Sequence, residues 1–214
     1  MHTNRTPIIK MSAHLIASYK TIEMNGDGSC FYHCVDHCLN GRADYTRVLN
    51  TSKLAMNKLF QKLTIEKNLD MDAIFESTPS DNARVLRYMV SVATTQDDFE
   101  RYQMLCIAEE DNPAYETVEC FRTGILFSQD YANEVIINIL LRTLNKELSD
   151  QLGIYIIKNQ TEIHSQSDWL NKSINMFIEF VDDIHYNVLH IENSSALVPK
   201  DKLEKILFCS NYKS

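Results

Sequence analysis

The sequence predicts an α+β fold in which a small central β-sheet is packed between helices. Three observations carry that expectation. Apolar residues recur at helical spacing through the first two thirds of the chain, most clearly at Val135, Ile136, Ile139, Leu140 and Leu144. After Gly153 the pattern changes to short runs rich in β-branched and aromatic residues. Glycine and proline number only 5 and 4 in 214 residues, too few for a many-turned all-β architecture.

In chain order, residues 11–19 read as a short helix. Asn25-Gly26-Asp27-Gly28-Ser29 is a tight polar turn, with two glycines to adopt backbone angles other residues resist. Residues 30–39 form a helix that Asn40-Gly41 stops. A second helix covers 51–62, with Ser52 as N-cap and Leu54, Leu59 and Phe60 inward. Residues 72–76 suit a short helical turn. The run 81–93 is a helix with Val85, Leu86, Met89 and Val92 on one side. Residues 97–109 form another, with Phe99, Tyr102, Leu105 and Cys106 on one face, broken by Asn112-Pro113. Residues 131–148 are the strongest helix. Strands follow at 154–157, 175–180 and 184–191, the last two joined by a turn at 181–183, and a helix is expected at 201–208.

The net charge is -8, and no Lys/Arg run offers a nucleic-acid surface. No apolar run approaches the roughly 18 residues of a membrane span. Residues 1–10 lack the apolar core of a secretory signal. The six cysteines are therefore read as free thiols in a reducing compartment, the cytoplasm. No internal repeat or low-complexity stretch divides the chain.

One cysteine has a special setting. Cys30 follows Gly26-Asp27-Gly28-Ser29 directly and opens an apolar helix. The first amides of a helix lack intrahelical acceptors, and their positive end is expected to lower a thiol pKa and favour thiolate. The same turn offers backbone N–H groups to a reacting carbonyl, the parts of an oxyanion hole. A nucleophilic cysteine also needs an imidazole and a group to orient it. His185 stands near the start of a predicted strand, and Asn187, two residues on, leaves the same face. His190, five residues on, faces the other way and is the weaker candidate base. His33, Cys34, His37 and Cys38 invite a zinc site, but the Cys pair and the His pair follow different lines of one helix, and there is no CxxC. Cys34 and Cys38 are expected in the core, and no metal or cofactor is expected. His164 and Trp169 fall in a loop-like stretch and are read as surface or packing residues.

The segment Asn25-Gly26-Asp27-Gly28-Ser29-Cys30-Phe31-Tyr32-His33 resembles the cysteine signature of the ovarian-tumour (OTU) proteases, Gly-Asp-Gly-(Asn/Ser)-Cys followed by apolar residues. Ile184-His185-Tyr186-Asn187-Val188-Leu189 resembles that family's second signature, His-Tyr-(Asp/Asn)-x-Leu, and the two stand in the family's order. Arg84-Val85-Leu86-Arg87 and the unit 131–157 resemble weaker family segments, with Tyr131-Ala132 where many members have Trp-Gly. The resemblance implies papain-like chemistry on an OTU fold. It implies a protease domain at 21–192, with extensions at 1–20 and 193–214. Cys30 would attack the carbonyl after the C-terminal glycine of ubiquitin, polyubiquitin or a ubiquitin-like modifier. His185 would be the base and Asn187 its orienting group. Asp27 takes the position the family includes in its site. The backbone of Asp27, Gly28 and Cys30 would form the oxyanion hole. Viral and bacterial-effector members fit as well as cellular ones, the first two acting in a host cytoplasm. The alternatives are a catalytically weak OTU-like module that only binds ubiquitin, and a thiol acyl-transfer enzyme for another substrate.

Overall fold

A computed structural model describes residues 10–11, 13–15, 18–67, 81–108, 114–127, 132–158, 162–164, 170, 172–182, 184–191 and 196–209. Among them are six α-helices: α1 (Cys30–Leu39), α2 (Ala43–Lys67), α3 (Asp81–Ala93), α4 (Gln96–Ala108), α5 (Val118–Phe127) and α6 (Glu134–Glu147). The strands are β1 (Lys10–Met11), β2 (Ala13–Leu15), β3 (Tyr19–Ile22), β4 (Leu152–Lys158), β5 (Glu162–His164), β6 (Ile174–Val181), β7 (His185–Ile191), β8 (Leu197–Pro199) and β9 (Leu207–Cys209). The main sheet runs β1-β5-β4-β6-β7-β3, with β8 beside β6, while β2 and β9 pair separately. The architecture is α+β, as the sequence predicts.

The sheet's centre explains its sequence. β4 pairs with β6 in parallel, from Leu152 opposite Ile174 to Lys158 opposite Phe180. It is covered on both faces, so Leu152 through Ile157 are all buried and the run is uninterruptedly apolar. β6 turns into β7 as an antiparallel pair, Val181 opposite His185, through Asp182 at φ 52°. β7 pairs in turn with β3, Ile22 opposite Val188. Alternation then sends Ile154, Ile156, Met176, Ile178, Tyr186 and Val188 to one core with the α-helices. Tyr155, Ile157, Phe177, Leu189 and Ile191 go to a second core, closed by Leu203 and Ile206 around the 3-10 helix Lys200–Lys205.

α1 and α3 span the residues predicted for them, and α4 and α6 come within a few. Gly41, at φ 85°, ends α1 where the sequence placed a stop. Asn133 caps α6 through Oδ1, which accepts from the Ile136 amide at 3.1 Å.

Several expectations fail. The described residues of the expected 11–19 helix are extended rather than helical: β1 pairs with β5, β2 with β9, and β3 with β7, so long-range pairing overrides local preference. α2 begins eight residues before the expected start, so Ser52 lies inside it and is no cap. Leu54 and Val92 face solvent, 66% and 61% exposed, because helical rotation carries them off their buried stripes. α5 and β5 were not anticipated. The expected 201–208 helix is a 3-10 turn followed by β9. The turn at 72–76, the Asn112-Pro113 break, Tyr131, Trp169 and Asp183 lie outside the described residues. Among the described residues, no helix is long and apolar enough to cross a membrane.

Candidate active site

The site forms where the first turn of α1 meets the first residues of β7. Gly28, at φ 76°, lets the chain turn sharply into the helix. Asp27 stabilises that turn with its side chain: Oδ1 accepts from the Ser29 amide at 2.9 Å. The Ser29 carbonyl then accepts the first helical bond, from the His33 amide at 2.9 Å. Asp27 Oδ2 sits 3.0 Å from His33 Nε2. Its carboxylate is thus committed to the turn and to His33.

Cys30 is 1% exposed. The Tyr186 amide donates to its Sγ at 3.4 Å, across 156 residues of chain. Burial pushes the Cys30 thiol up; the amides of Tyr186 and Phe31 draw it down, the Asp27 carboxylate pushes it up, and its own amide draws it down. The balance is upward. This corrects the expectation that the helix end lowers the thiol pKa: the nearby amides do draw it down, but desolvation and a neighbouring carboxylate outweigh them.

His185 is the residue before Tyr186, so the same contact brings β7's start against the thiol. Its Nε2 lies 2.9 Å from Asn187 Oδ1. That oxygen also accepts from the Met24 amide at 3.0 Å, which fixes which end of the Asn187 amide faces the ring. Since an amide oxygen only accepts, the ring donates through Nε2, and in the neutral ring the lone pair falls on Nδ1. Gly26 lies beside that nitrogen: a Cβ there would stand 3.9 Å from Nδ1. The pairing of His185 with Asn187 is as the sequence predicts.

His190 is elsewhere. Its Nε2 meets His37 Nε2 at 3.0 Å, near the far end of α1. Burial lowers its pKa, as do His37 and Lys20. Cys34 and Cys38 are buried as expected, and burial pushes the Cys34 thiol well up and the Cys38 thiol to about 12. Among the described residues no group of three or more His, Cys, Asp or Glu is placed to hold a metal ion. His164 lies in β5 rather than a loop.

Arg87 was given no role from sequence, yet it reaches the site. From α3 its Nη2 donates to the Gly28 carbonyl at 2.7 Å and its Nε to Ser29 Oγ at 2.9 Å. The legible signal was a charge on an apolar stripe, with Ala83 and Val90 one turn to either side, both fully buried. Met24 and Tyr186 act through backbone amides, which no side-chain pattern announces.

No protein-family model matches the chain, and no curated protein sequence does. Solved structures are similar. An ovarian tumour (OTU) domain in complex with ubiquitin is 15% identical, covering 91% of this chain and 86% of its own, with a TM-score of 0.46. The Hazara virus OTU bound to ubiquitin is 10% identical, covering 87% and 92%, at 0.44. The viral OTU domain protease from Dera Ghazi Khan virus is 13% identical, covering 82% and 82%, at 0.38. Likenesses this distant carry no argument, and the functional reading rests on the residues of the site.

Proposed function

We propose that the protein is a cysteine-type deubiquitinase of the OTU kind, a thiol-dependent hydrolase acting after the C-terminal glycine of ubiquitin or a ubiquitin-like modifier. The observation that carries it is the Tyr186 amide on Cys30 Sγ, which ties a helix-opening thiol to the strand start where His185 pairs with Asn187. Ubiquitin as substrate is inferred from the resemblance of the two site segments to the OTU signatures.

In this reading His185 Nδ1 takes the Cys30 proton as sulfur attacks the carbonyl. Charge on the carbonyl oxygen is met by backbone amides of the Asp27–Cys30 turn. His185 returns the proton to the leaving amine, and a water, deprotonated by the same nitrogen, hydrolyses the thioester. No step calls for a metal or cofactor.

The test is a ubiquitin carrying an electrophile at its C-terminus. The unmutated protein should gain the mass of one ubiquitin, and Cys30→Ala should gain none while keeping its thermal midpoint. Labelling of Cys30→Ala would overturn the assignment. Binding of the probe without reaction by the unmutated protein would favour a ubiquitin-binding module instead.

A further inference from the structure

We propose that Arg87 is a positioning residue that fixes the Gly28–Ser29 peptide and so aims the flanking amides at the oxyanion. The proposal rests on the reading of Cys30 as nucleophile.

Arg87 is 3% exposed, on a helix whose neighbouring Ala83, Val85, Leu86 and Val90 are fully buried. Burying a guanidinium costs several kcal/mol unless its donors are met, so packing alone would favour an apolar residue here. Its donors go to a defined target. Nη1 donates to the Ile125 carbonyl at 3.0 Å, tying it to α5. Nη2 and Nε form a fork on two consecutive residues, the Gly28 carbonyl and Ser29 Oγ. The guanidinium lies 4.8 Å over the Tyr32 ring, which fixes its plane.

The Gly28 carbonyl and the Ser29 amide belong to one peptide unit. Arg87 holds the first and Asp27 Oδ1 the second, so the plane is pinned at both ends. The Gly28 and Cys30 amides flank that plane and take their directions from it. The segment needs such a hold, because glycine at positive φ has the widest backbone freedom, and an oxyanion hole helps only when its donors need not reorganise. A lysine could not replace the fork, being a single point donor on a flexible stem.

Two reactions at Cys30 separate this role from fold or thiol reactivity. Acylation by p-nitrophenyl acetate forms the S–C bond through an oxyanion and expels p-nitrophenolate, the thiol proton passing to His185. Alkylation by chloroacetamide forms the S–C bond by displacing chloride, the thiol proton again passing to His185, with no oxyanion. Neither requires ubiquitin. In the full chain, Arg87→Lys should slow acylation about 10²-fold, the scale of one lost oxyanion donor. Alkylation should keep its rate within about twofold, with an unchanged pH profile. Ser29→Ala, which removes one acceptor and leaves the arginine in place, should slow acylation alone by about 3- to 10-fold, and it decides the matter where Arg87→Lys does not fold. Parallel slowing of both reactions, or no change in either, would overturn the proposal. If unmutated Cys30 is neither acylated nor able to cleave a ubiquitin conjugate, the nucleophile reading falls, and the role of Arg87 with it. If Cys30 is acylated but the ratio of rates is unmoved in the variants, only the Arg87 inference fails.

Discussion

Asn187 Oδ1 accepts two hydrogen bonds, from His185 and from the Met24 amide, and is 7% exposed. The second bond is the reason the first is stiff: the backbone leading into the turn holds the amide that holds the ring. Asn187→Ala removes both and leaves the ring free to turn and to change tautomer. With a fluorogenic ubiquitin conjugate, kcat should fall by about 10²-fold while KM stays within about twofold, since general-base efficiency depends on placement. Asn187→Asp can still accept from both partners and should recover most of the loss; an equal loss in both variants would count against the orienting role. Cys30, His185 and Asn187 were legible because a glycine turn before a helix and a two-residue spacing on a strand are local patterns. The upward shift of the Cys30 thiol was not, because it depends on how deeply folding buries the sulfur.

At the scale of elements, α1 was legible to its ends, since Gly28 and Gly41 bracket one apolar run. The N-terminal strands were not, because the partners that make them strands are the remote β5, β7 and β9. α5 was missed although Val118, Phe121 and Ile125 stand at helical spacing, because Thr123 and Gly124 interrupt its ten residues. Its start was written in Thr117, whose Oγ1 accepts from the Cys120 amide at 3.2 Å. Gly124 has a packing reason to be glycine: a Cβ there would collide with the Tyr115 ring. Tyr115 belongs to an aromatic cluster, its ring centroid 5.9 Å from Tyr102 and 5.6 Å from Phe121. In an open helix Gly→Ala would stabilise by about 1 kcal/mol. Here overpacking should outweigh that, leaving a net loss of about 1–2 kcal/mol, read from the urea midpoint. A stabilised Gly124→Ala would show that Tyr115 moves aside freely.

Across the whole molecule, charge pairs join elements far apart in sequence. Arg142 donates to Asp98 at 2.7 Å, linking α6 to α4. Arg42 bridges Asp44 and Asp150, each at 2.9 Å, linking the start of α2 to the loop before β4. Burial alone would raise the Asp98 pKa, but Arg142 and Thr95 lower it, and Arg42 leads the causes that hold Asp44 low. A depressed carboxylate contributes stability above its unfolded value, about 4, and loses it as pH falls through the folded value. A second step lies higher. His190, with His37 on α1 and Lys20 on β3 facing it, is depressed, so the unfolded chain binds its proton more readily. Stability should therefore begin to fall as pH drops below about 6.5, well before the carboxylates titrate. The measurement is the urea midpoint from pH 8 down to about 2, and His190→Gln should remove the upper step and spare the lower. An upper step that survives in His190→Gln would belong to another group.

Tyr186 and Cys30 stand 156 residues apart. A ribosome adding about 5–20 residues per second makes the thiol about 8 to 31 s before it makes β7. Through that interval His185 has not been made and there is no Tyr186 amide on the sulfur. A chain still in synthesis therefore carries Cys30 without the contacts that β7 brings to it. The contacts of the candidate site become complete only once the residues through β7 have been made, so their order of synthesis sets when the site can form.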